Sequence, residues 1–160
     1  AILSAEEVSP TFNARLDANK RHYLYRILNR DARGTLDATR AWHVFYPLDI
    51  AAMNEAANHL IGQHDFTSFR ASECQANSPI KTLDTLTIQR RTKDPTQVMI
   101  KTSAKSFLHH QVRNIVGTLM LVGAGKWQAK QVKEALEAKD RRAGGPMAPA
   151  HGLYLMKVEY

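Results

Sequence analysis

Cysteine is nearly absent: Cys74 is the single thiol among 160 residues. One cysteine excludes an internal disulfide framework and a thiolate zinc cluster. Its surroundings, Ser72-Glu73-Cys74-Gln75, carry an acid and no base, which does not favour a nucleophilic thiolate. The seven histidines contain no His-Glu-x-x-His, and the adjacent His109 and His110 cannot face one ion from a helix. No metal is therefore expected. No glycine-rich phosphate loop occurs. No apolar run reaches the ~18 residues of a membrane span, and no basic amphipathic helix suggests a membrane surface. No signal peptide, internal repeat or low-complexity stretch is visible, and a reducing, cytoplasmic setting is expected.

What is present is basic charge. Lys plus Arg number 22 and Asp plus Glu 15, a net charge of +7 with a pI near 9.7. Such a surplus favours a polyanionic partner, nucleic acid before membrane. The hydrophobic share of 44% is that of an ordinary globular chain, and the length fits one domain over residues 1–160.

Pattern along the chain predicts a mixed fold. Residues 1–9 read as a weak strand or a linker, broken by Pro10. Alternation from Phe12 through Ala14 and Leu16 to Tyr23, Tyr25 and Ile27 predicts one long strand ending near Leu28. Asn29 to Thr35 is a basic loop. Asp49 is a plausible N-cap for a helix carrying Ile50, Met53, Ala57, Leu60 and Ile61, with Gly62 as its terminator. Asp65 to Arg70 is a short turn. Thr82–Arg91 and Val98–Ser103 form a hairpin turned at Asp94-Pro95. A helix follows over Leu108–Leu121, closed by Gly123-Ala124-Gly125, and a second over about Ala129–Ala138. Arg141 to His151 is a Gly/Pro loop before a terminal strand at Leu153–Val158. The class is α+β, a mixed, mainly antiparallel sheet with helices on one face.

Two stretches stand out chemically. In Phe107 to Gly117, apolar residues Leu108, Val112, Ile115 and Val116 take one helical face, while His110, Arg113, Asn114 and Gly117 take another. A glycine inside a helix costs about 1 kcal/mol against alanine, so Gly117 implies close approach of another backbone or an RNA. Arg113 in an apolar helix implies a partner carboxylate. A core helix with a solvated polar edge is the plain alternative. The second stretch, Lys20-Arg21-His22-Tyr23-Leu24-Tyr25, joins cations to aromatics, which suits stacking on an unstacked base while phosphates are held. A core strand with packed tyrosines and solvated cations is the plainer alternative.

Four blocks resemble the bacterial tRNA pseudouridine synthases of the TruA type: Arg21-His22-Tyr23-Leu24-Tyr25, Asp65 to Ala71, Phe107 to Gly117, and Ala148 to Leu155. Their order and spacing follow that family through nearly the whole chain, with Met147 where its members usually carry Thr. The resemblance implies a pseudouridine synthase-like fold and the isomerisation of uridine to pseudouridine in the anticodon arm of tRNA, just 3′ of the anticodon. It implies no cofactor, no metal and a homodimer whose two subunits both touch the tRNA. By the same resemblance Tyr23 is the base-stacking tyrosine and Arg113 the partner of a nucleophilic aspartate. Arg21, His110 and Asn114 are expected to bind substrate.

The family's Gly-Arg-Thr-Asp-Ala-Gly-Val-His run, which carries that aspartate, is not found here. With a first residue that is not Met, the expectation is that a preceding segment holds it and that these 160 residues alone are inactive. Arg15-Leu16-Asp17 resembles the nucleophile motif of another pseudouridine synthase family, but in the TruA register it carries no catalytic residue. A stand-alone RNA-binding module and a metabolic α+β enzyme with a basic surface are the rival readings.

Overall fold

The computed structural model describes residue 2 and residues 4–160. Ala1 and Leu3, part of the expected opening strand or linker, lie outside the described residues. The fold is α+β. Strands β1 (Lys20–Asn29), β2 (Trp42–Val44), β3 (Gly62–Asp65), β4 (Ile80–Arg91), β5 (Asp94–Ala104) and β6 (Leu153–Glu159) form one sheet, with helices α1 (Ile50–Asn58), α2 (Gln111–Gly123) and α3 (Ala129–Ala138). The order is β3-β4-β5-β1, every pair antiparallel. The far edge of β1 is shared. β6 pairs antiparallel with its first half and β2 parallel with its last three residues.

Period-two burial in the strands explains the layering. Tyr25 and Ile27 of β1, Leu86 and Ile88 of β4, and Val98 and Ile100 of β5 are buried in one cluster with Met53 of α1, Ile115 and Leu119 of α2, and Val132 of α3. The alternate residues, such as His22, Leu24, Met99, Lys101 and Thr87, are half-buried or exposed. Helix α1 starts where expected: Asp49 accepts a hydrogen bond from the Ala52 amide at 2.9 Å, a side-chain N-cap.

Several expectations need correction. The long strand does not begin at Phe12. Asn13 Oδ1 accepts from the Arg15 and Leu16 amides and Asp17 Oδ2 from the Asn13 amide, so side chains satisfy this backbone locally and it turns. Strand pairing starts only at Lys20. Helix α1 ends at Asn58, and Gly62, at φ 102°, instead opens β3, which alternation did not reveal in Gly-Gln-His-Asp. The short β2 was missed for the same reason. The hairpin reverses at Thr92-Lys93, and Asp94-Pro95 already belongs to β5. Helix α2 begins at Gln111, three residues later than the apolar spacing suggested, because His110 takes a left-handed conformation at φ 61°. The polar edge of α2 is solvated only in part: Asn114 and Gly117 are buried, while His110 and Arg113 are half-buried.

Candidate active-site cleft

The start of α2 is fixed by its own side chains. Gln111 Oε1 accepts the Leu108 amide at 2.8 Å, and the Gln111 amide donates to the Leu108 carbonyl. His110, at the N-cap, stacks on His109 with ring centroids 3.8 Å apart. Histidine is among the few side chains enriched in the left-handed region.

The 144–149 loop is then stitched along α2. Gly145 N donates to Thr118 Oγ1, which itself donates to the Asn114 carbonyl. Ala148 and Arg113 exchange two bonds: the Ala148 amide donates to the Arg113 carbonyl at 3.1 Å, and Arg113 Nε donates to the Ala148 carbonyl at 2.7 Å. Gly117 makes this approach possible, since a Cβ there would overlap the Pro146 carbonyl. The close approach expected at Gly117 is therefore backbone against helix. Tyr25, buried beneath, donates its hydroxyl to the Pro149 carbonyl at 2.6 Å.

Where β1, α2 and the start of β6 meet lies an open cleft of about 320 Å³, lined by Tyr23, Phe107, Leu108, His109, His110, Gln111, Val112, Arg113 and Leu153. Tyr23 is half-buried and held edge-on by Phe107, ring centroids 5.2 Å apart at 90°. Sequence reasoning did not single out Phe107, although it sits in the same block as Arg113. The cleft brings together Tyr23, His110 and Arg113. Arg21 and Asn114 do not line it. Arg21 donates to the carbonyls of Lys105 and Arg15. Asn114 is buried, its Nδ2 donating to the Phe69 carbonyl and its Oδ1 accepting from Arg141.

The electrostatics are one-sided. No carboxylate lines the cleft, and Arg113 has no ion pair among the described residues. Its hydrogen bond goes to a neutral carbonyl, so its charge is left for its surroundings. Burial holds the His110 imidazole below its ordinary pKa, and His109 and Arg113 push it the same way, against Glu73. Burial raises the Tyr25 hydroxyl well above its usual range, with Arg113 opposing. Gln111 Nε2 is buried without a partner among the described residues. Those residues hold no cluster of three or more His, Cys, Asp or Glu able to grip a metal ion, and no helix is long and apolar enough to cross a membrane. Asp17 lies in its own exposed turn, bonded to Asn13.

Residues 56–160 match the family model described as tRNA pseudouridine synthase. The chain belongs to that family. It is 56% identical over all 160 residues to a tRNA pseudouridine synthase A of Xanthobacter autotrophicus, covering 64% of that protein. It is also 56% identical over 160 residues to one of Azorhizobium caulinodans, covering 61% of it. To one of Gluconobacter oxydans it is 55% identical over 159 residues, 99% of this chain and 57% of that protein. The chain thus spans about three-fifths of the length of the curated relatives it matches.

Proposed function

We propose that these 160 residues form one unit of a tRNA pseudouridine synthase and take the target uridine of the anticodon arm into the Tyr23–Arg113 cleft. The observation that carries this is Arg113: a half-buried guanidinium bonded to a carbonyl, in a cleft with an aromatic wall and no acid. A pseudouridine synthase needs a carboxylate nucleophile, held ionised and aimed by an opposite charge. Arg113 supplies the opposite charge, and the carboxylate comes from outside these residues. Its oxygen bonds to C1′ as the N1–C1′ bond breaks, the freed uracil anion turns, C5 bonds to C1′ as the carboxylate leaves, N1 takes up a proton, and the C5 proton leaves to solvent. Tyr23, fixed by Phe107, replaces the stacking that the flipped base loses. His110, its pKa lowered by burial and by the neighbouring His109 and Arg113, borders the base. Arg21 and Asn114 support this site from behind, through the Lys105 and Phe69 backbones. On this reading the protein works in the cytoplasm as a homodimer.

Tritium release from tRNA labelled at uridine C5 tests the reading. The chain alone releases none. A chimera in which it replaces the matching segment of the Xanthobacter relative releases tritium. Turnover by the chain alone refutes the external carboxylate and redirects attention to Asp17. An inactive but folded chimera that binds tRNA favours the second reading, a non-catalytic RNA-binding module, for which the acid-free cleft speaks.

A further inference from the structure

The end of β1 away from the cleft carries charge that the cleft does not use. The loop after β1 contributes Arg30, Arg33 and Arg40, and the β4–β5 hairpin contributes Arg90, Arg91 and Lys93, all exposed. Register brings the two together: Leu28 pairs with Gln97, and Arg90 donates to Asn29 Oδ1 at 3.0 Å. The nearby acids are largely consumed. Asp37 pairs with Arg26, which also donates to Gln97. Asp94 accepts from Thr96 and Gln97, and those bonds hold its carboxyl below the usual range, with Arg30 adding to the effect. Asp31 is the one acid of this region with no bond among the described residues.

The cations, by contrast, are not neutralised, and two of them are held by neutral oxygens. Arg30 donates to the Ala32 and Arg33 carbonyls, and Arg90 to the Pro95 and Leu48 carbonyls. Arg33, Arg40, Arg91 and Lys93 have no ion pair among the described residues. A guanidinium fixed by neutral oxygens keeps its full charge and has lost part of its rotamer freedom before any partner arrives. Five of the six are arginines, whose planar fork suits phosphate oxygens better than a point charge does.

We propose that this patch is a second RNA contact, gripping backbone phosphates of the same tRNA away from the reacting nucleotide. Tyr23 and Asn29 are six residues apart on β1, about 20 Å. The patch therefore reads an arm of the tRNA that a short anticodon hairpin does not reach. This deepens the function proposed above and rests on it.

The test is binding of the chain to two probes, an unmodified tRNA transcript and a hairpin whose stem is too short to span that distance. The variant is Arg33→Gln, Arg91→Gln, Lys93→Gln, three exposed side chains that make no bond to the rest of the described chain. The expected result is a tRNA affinity at least about fivefold weaker, and a plot of log affinity against log salt shallower by about 2 to 3, with hairpin affinity unchanged. Lys93→Glu alone, at the hairpin tip, gives a smaller shift of the same kind and serves if the triple variant folds poorly. Unchanged tRNA affinity and slope overturn the patch, while hairpin binding leaves the cleft reading intact. Equal weakening of both probes overturns it as a separate contact. A parent chain that binds neither probe sinks both readings.

Discussion

Gly117→Ala is the sharpest probe of how the cleft is held. The added methyl meets the Pro146 carbonyl, with the Pro146 carbon at 2.8 Å and the Ala148 amide at 3.1 Å. All three are backbone, which cannot rotate aside. The 146–148 segment must lift, and the two bonds between Arg113 and Ala148 go with it. A neutral bond is worth about 1 kcal/mol and one from a charged donor about 1.5–3, so about 3 kcal/mol is at risk. Alanine returns about 1 kcal/mol through helix propensity. The net loss is about 2 kcal/mol. Gly123→Ala is the internal control. Its methyl meets Met53 Sδ at 2.6 Å and Leu48 Cδ2 at 3.1 Å, the far ends of side chains that can move. There propensity offsets most of the crowding and the change is below about 1 kcal/mol. Urea melts of the three proteins decide. A Gly117→Ala protein as stable as the parent, or indistinguishable from Gly123→Ala, refutes the close-approach argument.

Other expectations follow from the same geometry. Arg113→Met costs the isolated chain about 1.5–3 kcal/mol in urea melts, one bond from a charged donor to a carbonyl. A loss of 3–5 kcal/mol is that of a broken buried ion pair and would reveal a carboxylate partner within the chain. The His110 pKa is lowered on folding, so the unfolded chain takes up that proton first as pH falls. The associated stability is complete above the ordinary value of 6.5 and is lost as pH falls through the folded value. His110→Asn, which tolerates the left-handed backbone, flattens stability between about pH 7 and pH 5, and identical slopes for the two proteins contradict this. Tyr23→Ala weakens hairpin binding by about 1–3 kcal/mol and Tyr23→Phe keeps most of it; equal losses in filter binding remove stacking as the role of the ring.

Helix α2, the hairpin and the N-cap at Asp49 were legible because each rests on a local signal: helical spacing, alternation, a capping carboxylate. Strands β2 and β3 were not, since three or four residues such as Gly-Gln-His-Asp carry too little alternation and owe their state to the neighbouring strand. The false extension of β1 to Phe12 shows the converse, a periodic pattern overridden by Asn13 and Asp17 bonding their own backbone. In the site, Tyr23 and Arg113 were readable as an aromatic among cations and a cation among apolar residues. What they face was not. The carbonyl of Ala148, the Phe107 ring against Tyr23, and the burial of Asn114 between Phe69 and Arg141 depend on segments distant in sequence. No periodicity encodes those contacts.

On the proposed function Arg113 pairs with a carboxylate supplied from outside the described residues, since it has no ion pair among them. Initial rates of tritium release by the Xanthobacter chimera, with Arg113 and with Arg113→Met, test it most directly. Loss of a half-buried counter-charge worth about 3–5 kcal/mol predicts a rate lower by about two to four orders of magnitude, with tRNA affinity nearly unchanged. A folded Arg113→Met chimera turning over within about threefold of its parent, a difference under 1 kcal/mol, would contradict the account.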